Sequence, residues 1–265
     1  MSRVGTETTG RATDQAIAKI KELISSGEFT AGSRLPTERE LTLRFGVSRS
    51  SLREAVRALA LVGVLESRVG DGTYVTTLEP DLLLTGIGFV SDLVEAGSLL
   101  EIHHVRRILE PAATRLATQR LRDEDFERLR DCLDGMERAD SVPAFIAADT
   151  AFHRVILDAC GNAALASLIQ NLSSGTLRAR LWQSVVAQGA TDATLAAHRN
   201  IYDALVARDE EMAAAADMMH LGIAEEWLRR FVGEGAVEPY PLPAPVPPST
   251  ARPEPITNRD SSDAR

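Results

Sequence analysis

The stretch RLPTERELTLRFGVSRSSLREAVRALALVGVLESRVGDGTYV, residues 34–75, decides the fold of the amino-terminal part of the chain. Thr37 can cap a short helix, and Glu40 three residues later completes the pattern of a capping box. Gly46 turns the chain, and Ser48 can cap a second helix. This order predicts a helix-turn-helix, a motif that presents its second helix to the major groove of DNA.

The second helix is predicted to have two contrasting faces. Its apolar residues recur at helical spacing: Leu52, Val56 and Leu59. A basic row recurs on the other side at i, i+4 and i+8: Arg49, Arg53 and Arg57. Such a row alone is typical of a solvated helix face, but its place after a cap, a turn and a second cap favours DNA binding. Ser50 and Ser51 lie in the first turn, where backbone amides can meet a phosphate.

A β-hairpin is predicted directly after the basic helix. Gly70-Asp71-Gly72 separates two β-prone runs, residues 64–69 and 73–75. An Asp-Gly pair in that position is a hairpin signal. The hairpin makes the motif a winged helix-turn-helix.

This block resembles the amino-terminal domain of the GntR family of bacterial transcription regulators. The matching segments lie within residues 13–77 and are Leu35–Leu41, Gly46–Arg49, Leu52–Ala55, Gly63 and Gly70–Thr73. The resemblance implies contacts with DNA from Arg39, Arg49 and Arg53, supported by Ser48, Ser50 and Ser51. It also implies that Gly70 lets the wing tip approach the minor groove. Asp71 stands where wing tips of this family often carry a basic residue, so we expect a weaker wing contact.

Composition and charge bound the class of protein. The net charge is −9, but residues 1–78 hold 11 basic against 9 acidic residues, while residues 79–265 hold 18 against 29. The acidic excess therefore lies outside the predicted DNA-binding part. Cys132 and Cys160 have no zinc-type spacing, and the amino terminus lacks a signal-peptide core. The stretch 82–90 is too short to span a bilayer. We expect a soluble cytoplasmic protein without a membrane partner.

The fold class predicted for the whole chain is mainly α. Residues 1–12 are expected to be disordered, 13–78 to form the winged helix-turn-helix, 79–232 an all-α antiparallel helical bundle, and 233–265 a disordered tail that holds eight of the 12 prolines. Helices are predicted near residues 14–25, 81–95, 98–120, 123–139, 142–159, 163–187, 192–208 and 209–232.

Four residues of the predicted bundle could form a metal site. Asp149 and His153 are i, i+4 on one helix, and His198 and His220 lie on two later helices. Facing helices of a bundle can bring such groups together in the core. Three imidazoles and a carboxylate suit Zn²⁺, and Ni²⁺ or Mn²⁺ also fit. Each histidine alone is more often a hydrogen-bonded core residue, and spacing does not decide between the two interpretations.

The bundle also resembles the FCD domain, the effector domain of the FadR-type branch of the GntR family. The four positions above coincide with its metal-binding set, and supporting matches are Val105–Pro111, Gly161-Asn162 and Met219–Leu221. The resemblance implies a divalent metal, Zn²⁺ first, and a small organic acid as effector. Arg106 would grip the acid's carboxylate, although Arg107 fits equally by spacing. His103 and His104 could line the same cavity or lie on a solvated face.

These patterns predict a regulator rather than an enzyme. A homodimer would set two recognition helices on a palindromic operator in double-stranded DNA, and the organic acid would release it, which is the behaviour of a repressor. A metal-dependent, hydrolase-like activity is an alternative, but no general base stands beside the ligands. A purely structural metal is the third interpretation.

Overall fold

The computed structural model describes residues 4–84, 96–173 and 191–233. Within these ranges the chain is mainly helical, and its one sheet is a two-stranded antiparallel hairpin. The predicted fold class is confirmed. No helix in the described ranges is both long and apolar enough to cross a membrane.

The amino-terminal elements have the predicted order. They are α1 (Val4–Ser25), α2 (Glu38–Phe45), α3 (Arg49–Leu61), β1 (Leu65–Arg68) and β2 (Gly72–Val75). The capping box of α2 is formed by Thr37 and Glu40, and Gly46 ends α2 with a left-handed φ of +70°. The hairpin aligns Leu65 with Val75 and Arg68 with Gly72.

These elements share one apolar core. Helix α1 packs against α3, and α2 and β1 also contact α3. The buried core residues include Ile20, Leu41, Phe45, Leu52, Leu59, Leu65 and Val75. Val56 of the predicted stripe is only half-buried. The apolar face of α3 is therefore fixed to the core, which turns its other face outward.

Helix α1 begins earlier than the sequence analysis predicts. It starts at Val4, so the prediction that residues 1–12 are disordered is wrong for residues 4–12. No proline interrupts this segment. Once the helix is nucleated by the buried Ala16 and Ile20, each further turn costs little free energy.

The second half of the chain forms a helical bundle. Its helices are α4 (Ala96–Thr118), α5 (Asp123–Glu137), α6 (Val142–Ala159), α7 (Ala163–Leu172), α8 (Thr191–Val206) and α9 (Glu210–Gly233). Helix α9 packs against α4 and α8, α5 packs against α6, and α4 also contacts α6 and α7. The core includes Ala113, Leu129, Phe152, Ile169, Ile201, Leu205 and Ala213.

Two predicted helices of this half, over residues 163–187 and 81–95, do not match the described structure along their full length. Helix α7 ends at Leu172, with Ser173 as its cap, so a single helix over residues 163–187 does not form. The cause is the Ser173-Ser174-Gly175 sequence, because serine and glycine are weak helix formers. Residues 80–84 are helical, but the rest of the predicted helix 81–95 lies outside the described residues, as do residues 174–187 and the proline-rich tail.

Candidate nucleic-acid interface and metal centre

Helix α3 presents its basic row to solvent. Arg49, Arg53 and Arg57 are all exposed, because the opposite face of α3 carries the buried Leu52 and Leu59. The Nε–H of Arg53 donates to the carboxylate of Glu38 at 2.9 Å, an exposed pair that holds the guanidinium near the amino end of α2. The structure thus brings the predicted row to one accessible face, the requirement for major-groove contact.

Arg39 lies beside this face on α2. Its side chain is exposed, and neither Arg39 nor Arg49 makes an ion pair with any residue of the described ranges. A guanidinium without a protein partner is available to a phosphate or to a guanine edge. Their roles at DNA remain predictions.

The three serines of this turn have different positions. Ser48 caps α3 by accepting the backbone N–H of Ser51 at 3.1 Å, and its hydroxyl also bonds the hydroxyls of Ser50 and Ser51. Ser48 and Ser50 are exposed, but Ser51 is only 1% exposed. The hydroxyl of Ser51 lies inside the capped turn, so a contact from Ser51 to DNA would be made by its backbone amide, and that contact stays a prediction.

The wing tip is exposed and its aspartate is compensated within the wing. Gly70 has a φ of +76° and nothing within 4 Å of its Cβ position, so it leaves the tip open to a close approach. The Asp71 carboxylate accepts the hydroxyl of Tyr74 at 2.7 Å, and Arg34 lies 3.8 Å from it and donates to the Asp71 carbonyl. Arg68 stacks on the Tyr74 ring at 4.3 Å. The negative charge expected to repel phosphates thus has a cationic neighbour.

The four predicted metal ligands converge in the core of the bundle. Asp149 and His153 come from α6, His198 from α8 and His220 from α9. One ligand atom from each lies within 4.8 Å of all the others. The histidines are buried and Asp149 is half-buried. This is the spacing at which four side chains could hold one ion.

The hydrogen bonds of His198 leave its Nε2 facing the carboxylate of Asp149. Its Nδ1 lies 2.8 Å from the carbonyl oxygen of Thr194, which can only accept, so Nδ1 carries the hydrogen. Its Nε2 then faces Asp149 Oδ1 at 3.0 Å. Two lone pairs at that distance repel, so the contact is stable only with a proton or a metal ion at the centre. A backbone carbonyl that fixes the second nitrogen is the usual support of a metal-ligating histidine.

Burial keeps further imidazoles neutral. Removal from water, followed by the neighbouring His198 and His153, holds the pKa of His220 well below its ordinary value. A neutral imidazole is the form that binds a metal. Burial and then Arg106 lower the pKa of His103 to about 4. His103 Nε2 lies 2.8 Å from the Leu221 carbonyl oxygen.

The structure distinguishes the two candidate arginines. Arg106 is 2% exposed, and its Nε–H donates to Glu110 at 2.5 Å inside the bundle. Burial alone would lower the pKa of Arg106, but the Glu110 carboxylate raises it and keeps the guanidinium charged. Arg107 instead pairs with Glu225 and is partly exposed. His103 faces inward with Arg106, whereas His104 lies on the surface.

A buried acidic pair next to the histidines was not predicted. Glu110, His153 and Asp217 also bring their ligand atoms within 4.8 Å of one another. Burial, and then Glu110, raise the pKa of Asp217 to about 7. A signal did exist in the sequence, because Asp217 lies one turn before His220. A polar stripe also runs along α4 at helical spacing: His103, Arg106, Glu110, Thr114 and Thr118, all buried.

Two known protein families match this chain, one in each half. The family described as bacterial regulatory proteins, gntR family, matches residues 12–75, and the FCD domain matches residues 101–222. The transcriptional repressor NanR of Cronobacter sakazakii is 31% identical over 77% of this chain and 80% of its own length. The chain belongs to the GntR family.

Other GntR-family proteins are similar over most of their length. The transcriptional regulator LutR of Bacillus subtilis is 29% identical over 80% of this chain and 99% of its own. The solved structure of Streptococcus agalactiae GntR has a TM-score of 0.58 at 27% identity, covering 81% of this chain and 99% of that one. The domains and relatives identify a DNA-binding transcription regulator of the FCD branch and not an enzyme.

Proposed function

We propose that this regulator is a repressor whose affinity for DNA is controlled by a small organic acid, bound beside a divalent metal ion in the helical bundle. One observation carries the proposal: the buried cluster of three histidines and Asp149, in which His198 Nε2 faces a carboxylate oxygen at 3.0 Å. A regulator that only bound DNA would gain nothing from burying these groups without a ligand.

The metal would be held by Asp149, His153, His198 and His220. Nitrogen ligands with one carboxylate suit Zn²⁺ best, and Ni²⁺ or Mn²⁺ would bring more open coordination positions. The ion would act as a Lewis acid that binds the carboxylate of the effector. The chain supplies the fixed imidazoles, a dry site and the orientation of each ring.

Arg106 would provide the second contact to the acid. Its Nε and Nη2 donate to Glu110, so Nη1 is the group that an incoming carboxylate would meet. A buried guanidinium that is already paired stays charged and fixed in position. Its attraction to an anion is stronger there than at the surface because water screens it less.

At DNA, Arg39, Arg49 and Arg53 would contact the operator, with Ser48 and Ser50 near the backbone and Gly70 at the minor groove. Their exposure on one side of the winged helix-turn-helix supports this assignment. Each base contact would contribute about 1–3 kcal/mol to operator discrimination. The repressor assignment draws support from NanR, which carries that description.

A homodimer would match a palindromic operator, and the bundle offers a surface for it. We call this surface the apolar face, and its exposed residues are Val105, Ile108, Ala112 and Leu116 of α4 with Met212, Ala215, Met218 and Met219 of α9. Ile108 is 73% exposed and Met219 68%. Soluble monomers seldom leave such side chains contiguous in water, so we propose that a second copy covers them.

The apolar face is tested by sedimentation of two matched variants. Ile108→Glu would place a charge in the dimer interface, so we expect it to sediment as a monomer. Leu43→Glu, at an equally exposed leucine of α2, would leave the dimer intact. A wild-type protein that sediments as a monomer at micromolar concentration would contradict the homodimer.

The control of DNA affinity is tested by fluorescence anisotropy on a labelled duplex from the region upstream of the protein's own gene. The metal-loaded protein should bind, and an organic acid found by a thermal-shift screen should release it. His198→Ala should still bind DNA but lose the response to the acid.

Two outcomes would reject parts of the proposal. If no retardation or anisotropy change occurs at low salt, DNA binding through this face is wrong. If Asp149→Ala lowers the melting temperature but leaves the response to the acid unchanged, the metal is purely structural.

A further inference from the structure

Asp217 has a buried carboxyl group in which one oxygen accepts a hydrogen bond and the other has no hydrogen-bond partner among the described residues. It lies on α9, one turn before His220, and is 1% exposed. Its Oδ2 accepts the hydroxyl of Thr114 at 2.7 Å. Its Oδ1 is fully buried and has no hydrogen-bond partner in the described part of the chain. A buried acceptor left in this state is costly and is rare in native proteins unless a ligand supplies the missing bond.

The position of Asp217 places its carboxyl group at the edge of the proposed effector site. Its carboxylate lies within 4.8 Å of the ligand atoms of Glu110 and His153. His153 is also a member of the metal cluster, so the two groups of side chains share a residue and adjoin. Arg106 pairs with Glu110 at 2.5 Å, and Glu110 is the third member of this group, so the guanidinium also adjoins it. A small acid held between the metal and Arg106 would therefore lie next to Asp217.

We propose that Asp217 is a specificity-determining residue that binds a hydroxyl group carried next to the carboxylate of the effector. This inference rests on the proposed function and narrows its ligand to the class of 2-hydroxy carboxylates. A hydroxyl group can both donate and accept a hydrogen bond, so it satisfies Oδ1 in either protonation state. A plain carboxylate of the same length would leave Oδ1 unpaired and would place a methylene group against it.

Asp217 should discriminate strongly between two acids that differ only in this hydroxyl group. A site built to hydrogen-bond a hydroxyl rejects the analogue that lacks it, because the polar group of the protein is then buried without a partner. Thr114 fixes the carboxyl through Oδ2, which directs Oδ1 toward the ligand. The sequence pattern of α4 explains the pairing, since Thr114 continues the buried polar stripe of Arg106 and Glu110.

The test compares matched acids by calorimetry on the metal-loaded, full-length protein. The pairs are glycolate against acetate and malate against succinate, which differ only by the hydroxyl group. We expect the wild type to bind the hydroxylated member of the better-binding pair at least about tenfold more tightly. Asp217→Leu should reduce this preference to about twofold or less, through weaker binding of the hydroxylated acid, while the affinity for the plain acid stays the same.

Two further variants keep the test decisive. Asp217→Asn retains the shape of the side chain, and we expect it to fold and to lose most of the preference if Asp217→Leu is unstable. Asp203→Leu removes an exposed aspartate of α8 and should change neither affinity. Metal content and melting temperature of each variant show separately that the cluster and the fold are intact.

The outcomes separate this inference from the function on which it rests. Equal affinity of the wild type for both members of each pair would overturn the role of Asp217 and leave the organic-acid effector standing. A preference that persists in Asp217→Leu would overturn it as well, and so would tighter binding of glycine than of glycolate, because the carboxyl would then recognise an ammonium group. No binding of any of these acids would count against both proposals.

Discussion

The two halves of this chain differ in where their candidate functional groups lie. In the winged helix-turn-helix, Arg39, Arg49 and Arg57 lie on the surface and the core is apolar. In the helical bundle, a group of charged and titratable side chains is buried: His103, Arg106, Glu110, His153, His198, Asp217, His220 and Glu225. Burying a charge costs free energy that only a partner or a ligand returns.

This difference separates two kinds of functional residue. An exposed arginine row contributes to association with DNA but little to the stability of the fold. Water solvates its guanidinium groups equally well in the folded protein and in the unfolded chain. A buried cluster contributes to both, since each member is a partner of the others. Substitutions in the two halves should therefore show different ratios of lost stability to lost binding.

The largest expected effect is that of Arg106→Met. The substitution leaves Glu110 buried without its guanidinium, so the free energy of unfolding should fall by about 3–5 kcal/mol. Arg57→Met on the exposed face of α3 should change it by less than about 0.5 kcal/mol. Urea denaturation of both variants measures the contrast. Equal stabilities would show that the Arg106 pair is not buried in solution.

The pH dependence of stability should be the next largest effect. His103 has a folded pKa of about 4, below its unfolded value of 6.5, so the unfolded chain binds more protons between these values. The contribution of His103 to the free energy of unfolding is fully present above pH 6.5 and is lost as the pH falls toward 4. The free energy of unfolding should fall by about 3 kcal/mol over this range on account of His103. The pKa of His103 also depends on the charges of Arg106, Glu110 and Glu225. The contribution of Asp217 to stability has the opposite pH dependence: its folded pKa is raised, so this contribution is lost as the pH rises.

A variant isolates the histidine from these neighbours. The metal-free His103→Gln protein should lose less stability than the wild type between pH 6.5 and pH 4.5, measured by urea denaturation at each pH. If both proteins lose the same amount, His103 does not titrate as its burial indicates.

Arg49→Ala tests the surface half. Operator affinity should weaken by about 1–3 kcal/mol, while the melting temperature stays unchanged. Arg128→Ala, an exposed arginine of α5, is the matched control and should retain full affinity. An Arg49→Ala protein that binds its operator as the wild type does would mean that another element reads the DNA.

The smallest expected effect concerns the wing. Arg34 offsets the charge of Asp71, so Asp71→Asn alone should alter DNA affinity little, whereas Arg34→Ala should weaken it. In the double variant Asp71→Asn should recover part of that loss, with a coupling of about 0.5 kcal/mol at low salt. Additive effects in this double-mutant cycle would show that the two charges act independently.

The sequence predicted the amino-terminal half better than the bundle, and the cause is physical. The signals of α2 and α3 are local, and Thr37, Gly46 and Ser48 each occupy the predicted cap or turn. The burial of the Ser51 hydroxyl could not be predicted, because a motif does not show which hydroxyl the cap encloses. The early start of α1 was missed because helix propagation leaves no cap signal in the sequence.

In the bundle, only the contacts within one helix could be read from spacing. Asp149 and His153 are one turn apart, so their proximity was predictable. The approach of Asp217 to His153 depends on how α9 and α6 each pack against α4, which no local pattern encodes. The inward orientation of Arg106, rather than Arg107, was likewise fixed by packing and by Glu110.

The metal content of the purified protein tests the central claim most directly. After reconstitution with Zn²⁺ and removal of excess ion, elemental analysis should find one ion per chain in the wild type and in His104→Ala, whose imidazole is exposed. His198→Ala should retain little of it, because Nε2 of His198, which faces Asp149 Oδ1 at 3.0 Å, would be one of the ligand atoms. Equal metal content in His198→Ala and the wild type, or no bound metal in either, would contradict the account.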